Sequence, residues 1–178
     1  MEVKDKLDIV VKHISSHPDF PKPGILFRDL FPVLSNPEAF HALQDLIIEH
    51  VSHLTPKPDA VVALEARGFL FGPLVALQFD IPFIPIRKKG KLPGDVIQAS
   101  YALEYGTDSF EIQTASIRSG QNILIIDDLL ATGGSLNASC QLLEKLGAKV
   151  LECLVIMELV DMKGRDNVKA PLHSFIQY

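Results

Sequence analysis

Between Asn122 and Ser135 the chain reads NILIIDDLLATGGS. An apolar run leads into two adjacent acids, Asp127 and Asp128, and then into Thr132-Gly133-Gly134-Ser135. The second half suits a compact phosphate. Paired glycines let the backbone curl so that successive N–H groups point inward as an anion nest. If a helix follows, its first amides are unpaired and sit at the positive end of its dipole. Thr132 and Ser135 add hydroxyl donors. The acids then pose a problem, because an ionised carboxylate only accepts hydrogen bonds and would repel a bare phosphate. They become useful if the ligand also carries a vicinal diol or a divalent cation such as magnesium. A ribose 5-phosphate with free 2- and 3-hydroxyls satisfies both halves. Each piece also has a plainer reading. TGGS can be a glycine turn with a serine N-cap, and either acid can cap a helix or pair with a base.

Other chemistry-bearing residues are fewer. RKKGK at 87–91 packs four cations into five residues. Such a run is either a solvated basic turn or, at a strand end in an acidic chain, an anion site. Arg67 follows the apolar AVVAL, and arginine suits a bidentate oxyanion contact. The spacing of a nucleoside-triphosphate loop is absent, as is GxGxxG. His50 and His53 stand three residues apart with no third ligand evident, so they suggest no transition-metal site. Asn137-Ala138-Ser139 matches a glycosylation sequon but falls in a helical stretch. Cys140 and Cys153 fit neither a metal spacing nor a disulfide framework, and read as buried, reduced thiols.

The elements that must hold these groups follow from periodicity. Leu7, Val10, Val11 and Ile14 predict an opening amphipathic helix. SHPDFPKPG breaks it with three prolines and a glycine. Asn36-Pro37-Glu38 starts a second helix with stripe Phe40, Leu43, Ile47, Val51 and Leu54. A short, continuously apolar strand is predicted at 60–64, with further apolar strands at 81–86 and 122–126 and a long one at 149–158. Helices are predicted from about Phe69 to Phe79 and from Leu136 to Leu146, the latter closed by Gly147. Strands apolar throughout, alternating with helices, indicate an α/β fold with a mostly parallel sheet covered on both faces. In such sheets ligands bind beyond the carboxyl ends of the strands, where Ile126 ends one. Residues 87–113 break the pattern and predict a hairpin or long loop outside the main sheet.

The 178 residues suit one domain, and apolar and charged shares of 47% and 22% are ordinary for a globular chain. A net charge of -5 argues against broad nucleic-acid binding. No apolar run approaches the roughly 20 residues of a membrane helix. The start, MEVKDKLDIV, lacks the apolar core of a secretory signal, which favours a cytoplasmic protein.

IIDDLLATGGS resembles the phosphoribosyl pyrophosphate signature of the type I phosphoribosyltransferases. PDFPKPGILFRDLFPVL, ALEARGFLFGP, PIRKKGKLPG and SYALEYG, in that order, resemble the adenine-specific branch of that family. The likeness covers roughly residues 7–178. It implies one domain over 1–178, with a small hood at about 15–34 and a flexible active-site loop at about 87–113. The implied reaction joins adenine to phosphoribosyl pyrophosphate, giving AMP and pyrophosphate, with magnesium carried on the substrate and no direct metal ligands.

The resemblance also implies residue roles. Asp127 and Asp128 hold the ribose hydroxyls, and Ala131, Thr132, Gly133, Gly134 and Ser135 cradle the 5-phosphate. Arg67, Lys88, Lys91 and Tyr105 bind pyrophosphate. Arg87 reaches into a neighbouring subunit's site, which implies a homodimer. Glu104 and Arg67 are the candidate catalytic residues, with Glu104 serving the purine as acid or base from the mobile loop. Leu26 and Arg28 read the adenine edge through their backbone, Phe27 stacks on it, and Leu159 packs on the far side. The Glu65–Ala66 peptide is expected to be cis, aiming an amide at pyrophosphate. The chain departs from the commoner pattern at Ser135, for threonine, at Leu26, for valine, and at Glu65-Ala66, for Asp-Ser. None of these removes a reacting group. Two other functions remain open at this stage: a transferase for another purine base, and a regulator that binds phosphoribosyl pyrophosphate without chemistry.

Overall fold

The computed structural model describes residues 1–102 and 107–178. They fall into two compact units, Met1–His53 and Leu54–Tyr178. The first contains α1 (Val3–His13), β1 (Ser15–Pro18), β2 (Leu26–Asp29), α2 (Phe31–Ser35) and α3 (Pro37–His53). α3 starts as its cap predicts: Asn36 Oδ1 accepts the Ala39 amide at 3.0 Å, with Pro37 in the first helical position. Leu43, Ile47 and Val51 of its stripe are buried. Lys6 of α1 pairs with Asp45 and Glu49 of α3 at 3.6 and 3.2 Å. The proline-rich break is the turn of an antiparallel ribbon, in which Ser15 faces Asp29 and Pro18 faces Leu26. The sequence marks the turn, but these strands are too short and polar to stand out.

The second unit contains β3 (Ala60–Leu64), a 3-10 turn (Arg67–Leu70), α4 (Gly72–Phe79), β4 (Phe83–Lys88), β5 (Val96–Ala102) and β6 (Thr107–Gln113). It continues with β7 (Asn122–Leu130), α5 (Gly134–Lys145), β8 (Lys149–Glu158), 3-10 turns at Val160–Met162 and Gly164–Asn167, and β9 (Leu172–Gln177). The sheet order is β5-β6-β4-β3-β7-β8-β9. β4, β3, β7, β8 and β9 run parallel, and β6 pairs antiparallel with both β4 and β5. β3 and β7 are central, hence the apolar AVVAL of β3 and ILII of β7.

Alternate residues of these strands serve opposite faces. Val62, Ile125 and Val155 join Leu136, Ala138 and Leu142 of α5 in one core. On the other face, a Cβ at Gly72 of α4 would stand 2.8 Å from Ala63 Cβ, so only glycine lets α4 lie that close. Cys140 of α5 and Cys153 of β8 are both buried, with their sulfurs 3.7 Å apart, a proximity their sequence separation does not reveal.

Two expectations are corrected. The described strands of the 87–113 segment do not lie outside the main sheet. β6 joins its edge through Arg87–Glu111 and Lys88–Phe110, and β5 extends it. The reason is the alternation itself, since Ala99, Phe110 and Ile112 turn inward and pack in the core shared with α5. β7 also does not stop at Ile126. It runs through both acids to Leu130, paired with β8 as far as Leu130–Glu158.

Ile125 is fully buried at the centre of the sheet. Ile125→Ala should destabilise the chain by about 2–5 kcal/mol, lowering the urea midpoint without changing the slope.

Candidate active site

β3 pairs with β7 only as far as Ala63–Ile126. Beyond that point β3 turns away through Glu65, Ala66 and Arg67, while β7 continues through Asp127 and Asp128. The two chains stay close because residue 68 is glycine: a Cβ there would stand 2.7 Å from the Ile126 carbonyl oxygen. The Glu65–Ala66 peptide is cis, as expected. Arg67 Nε donates to the Asp128 carboxylate in a short contact. Asp128 is only 5% exposed, so this pairing balances an otherwise isolated buried charge.

Asp127 stands beside it, and its Oδ1 accepts the Asp128 amide at 2.9 Å. Burial, and then the neighbouring Asp128 carboxylate, push Asp127 well above the ordinary carboxylate range, and Arg67 offsets only part of this. The pair is therefore poised unequally, with Asp128 fixed by a cation and Asp127 straining to keep its charge.

These groups line a cavity of about 890 Å³ in the second unit. Its wall includes Glu65, Ala66 and Arg67 from the turn after β3, Asp127 and Asp128 from β7, and Ala131, Thr132, Gly134 and Ser135 from the loop opening α5. Gly133 is the member of the expected cradle that does not line the cavity. It caps α5 in the left-handed region, at φ 80°, and lies behind the loop against Gly164. Gly134 and Ser135, in the first turn of α5 where amides lack intrahelical partners, both line the cavity.

The cation side is more ordered than a solvated turn would be. Lys88 lines the cavity and pairs with Asp108 at 3.0 Å. Tyr101 also lines it and donates to Asp108 at 3.3 Å. Burial, followed by the charge of Asp108, pushes the phenol up to about 12, so it remains a donor. Arg87 makes two bonds to Glu65, at 3.1 and 3.3 Å, and Lys88 N donates to the same carboxylate at 3.1 Å. Burial alone would raise Glu65, but these bonds and the charges of Arg87 and Lys91 outweigh it and hold the acid low. Arg87 and Lys91 do not line the cavity. Glu111, 1% exposed, accepts the Lys91 and Leu92 amides at 2.8 Å each and so pins the basic turn from below.

Leu26, Phe27 and Arg28 lie on β2 of the first unit. The Phe27 ring meets Phe20 edge-on at 5.1 Å, and Arg28 donates to Ser16 Oγ at 2.7 Å. Leu159 follows β8, and its amide bonds the Leu130 carbonyl at 2.9 Å. Glu104 and Tyr105 lie outside the described residues.

The phosphoribosyl transferase domain family matches residues 32–174. A fruit-fly adenine phosphoribosyltransferase, from Drosophila pseudoobscura pseudoobscura, is 48% identical over all of this chain and 98% of its own length. The human adenine phosphoribosyltransferase is 45% identical, covering 97% of each chain. The chain belongs to the adenine phosphoribosyltransferase family. Its fold agrees: the Saccharomyces cerevisiae enzyme, crystallised with adenine and an imino-altritol bisphosphate, superposes with a TM-score of 0.94 at 43% identity, covering 97% of this chain and 99% of that one.

Several residues of the site escaped sequence reasoning. Ser100 and Tyr101, Asn137, Met162 and Asn167 all line the cavity. Tyr101 stands in the quoted SYALEYG stretch, beside the residues that drew attention. Asn167 carried no signal, because it reaches the site only through the turn after β8.

The raised Asp127 gives a stability prediction with a definite sign. Its folded value exceeds its unfolded one, so the folded state binds the extra proton. Stability therefore falls as pH rises from the unfolded value toward the folded one, and stays reduced above it. Asp127→Asn removes that loss. It should raise the Tm of the ligand-free protein at alkaline pH by about 2–4 °C, as a gain near 1 kcal/mol does in a chain of this size, while weakening ribose-phosphate binding. Scanning calorimetry with titration of ribose 5-phosphate checks both halves.

Proposed function

We propose that the chain transfers the 5-phosphoribosyl group from phosphoribosyl pyrophosphate to adenine, giving AMP and pyrophosphate in purine salvage. The observation that carries this is the junction of β7 and α5, where paired acids and an anion-binding loop share one cavity. The loop of Ala131 to Ser135 takes the 5-phosphate, and Asp127 and Asp128 take the sugar diol. Arg67, Lys88, Lys91 and Tyr105 take the pyrophosphate, with Arg87 serving a neighbouring subunit in a cytoplasmic homodimer. Adenine is read by the backbone of Leu26 and Arg28, with Phe27 and Leu159 on its faces.

Magnesium, when bound, supplies positive charge to the pyrophosphate. Asp128 is engaged by Arg67, and Asp127 and Glu65 line the same cavity. These donors fit a cation that arrives on substrate oxygens, the usual situation for magnesium with phosphates.

Displacement at the anomeric carbon passes through an oxocarbenium-like state, by analogy with glycoside chemistry. The developing cation needs an anion close by and no water, or hydrolysis competes. The acids on its diol and the departing pyrophosphate supply the first. The loop carrying Glu104 supplies the second by closing, and brings a carboxyl to the purine.

The test is AMP or nucleotide formation from phosphoribosyl pyrophosphate with adenine, hypoxanthine or guanine. Adenine should be preferred by about a hundredfold or more, because a site built to accept from an exocyclic amine leaves groups unpaired against a 6-oxo base. Preference for an oxo-purine would point to another purine transferase, and turnover of none to a regulator. Glu104→Gln should lower kcat by about 10²–10⁴ while leaving ribose 5-phosphate affinity unchanged; equal kcat would remove Glu104 from the chemistry.

A further inference from the structure

The phosphate loop does not hold its shape alone. The 3-10 turn Gly164–Asn167 lies directly behind it. A Cβ at residue 133 would run into the Gly164 carbonyl, and a Cβ at residue 164 into the Ala131 carbonyl. Gly164 has no positive φ to explain its identity, so the contact itself requires the glycine. Beside this backbone-on-backbone packing, Asn167 Nδ2 donates to the Thr132 carbonyl at 2.8 Å. That bond holds the Thr132–Gly133 peptide, which joins the cavity-lining Thr132 to the glycine that caps α5.

The turn is anchored in its own right. Arg165 Nε and Nη2 grip Glu158 at 2.9 and 2.6 Å, and Nη1 bonds the Leu172 carbonyl at 2.8 Å. Glu158 ends β8, is 3% exposed, and also accepts Ser174 Oγ at 2.5 Å and Gln177 Nε2 at 3.3 Å. A two-point grip on a buried carboxylate is a stiff attachment. The path runs from the sheet through Glu158 and Arg165 to Gly164 and Asn167, and then to the loop.

We propose that the Gly164–Asn167 turn sets the curl of the phosphate loop, with Asn167 and Gly164 as positioning residues for the 5-phosphate and Arg165, on Glu158, as their anchor. This rests on reading the loop as the 5-phosphate cradle. The turn buttresses one half of the ligand site only, since Arg67, Lys88 and the basic turn hang from β3, β4 and Glu111. Loss of the buttress should therefore hurt ribose phosphate and spare pyrophosphate.

Calorimetric titration of the full chain with ribose 5-phosphate, and separately with magnesium pyrophosphate, tests this. Asn167→Leu keeps the branching at Cγ, adds some bulk and removes the donor. It should weaken ribose 5-phosphate about fivefold, as loss of one hydrogen bond does, and leave pyrophosphate within about twofold. Gly164→Ala should weaken ribose 5-phosphate more strongly, with the same selectivity. Should Gly164→Ala fail to fold, Asn167→Leu decides alone. Parent-like ribose 5-phosphate affinity in Asn167→Leu overturns the proposal. So does equal weakening of both ligands, which would mark Asn167 as a general structural residue. If the parent itself does not bind ribose 5-phosphate, the cradle reading falls and the proposal falls with it.

Discussion

A carboxylate buried at the end of a central strand needs a cation, and Asp128 has Arg67. Much of the site depends on that pair. It draws the turn after β3 against β7, where glycine at 68 permits the approach. It fixes the backbone from which Glu65 reaches back to Arg87 and the Lys88 amide. It also separates the roles of two adjacent acids. Asp128 is paired inside the protein, whereas burial and the neighbouring Asp128 carboxylate disfavour the charged form of Asp127. Two free carboxylates so close to an anion site would repel its ligand; one paired and one poised do not.

The remainder of the cavity divides by element. The loop opening α5 brings helix amides and glycine backbone, the usual means of holding a phosphate. The sheet edge brings Lys88 to the cavity, already paired with Asp108, while Glu65 holds Arg87, outside the cavity, and Glu111 holds the backbone of the basic turn. Restrained cations lose less freedom when an anion arrives, so less of the binding energy is spent on ordering them.

Much of this was legible in the residues. AVVAL and KVLECLVIME match β3 and β8 residue for residue: β3 is apolar and buried at every position, and β8 is mostly apolar and buried from Cys153 onward. The acids and the glycine loop were found because they are contiguous. The apolar run of β7 breaks at Asp127-Asp128, and only pairing with β8 shows that the strand continues through both acids to Leu130. The β5–β6 pair was placed off the sheet because one face of it is polar, although the other supplies Phe110 and Ile112 to the core. Contacts across long separations left no local trace. Asn167 on Thr132 and Cys140 beside Cys153 come from folding, and no spacing rule reaches that far.

The central claim is that the acids and the loop share one ligand, the loop taking its phosphate and the acids its diol. The most direct measurement compares the affinity of ribose 5-phosphate with that of 2-deoxyribose 5-phosphate by calorimetry. The account predicts that loss of the 2-hydroxyl weakens binding about tenfold or more, as for a hydrogen bond to a charged group. Equal affinity for the two sugars would contradict it.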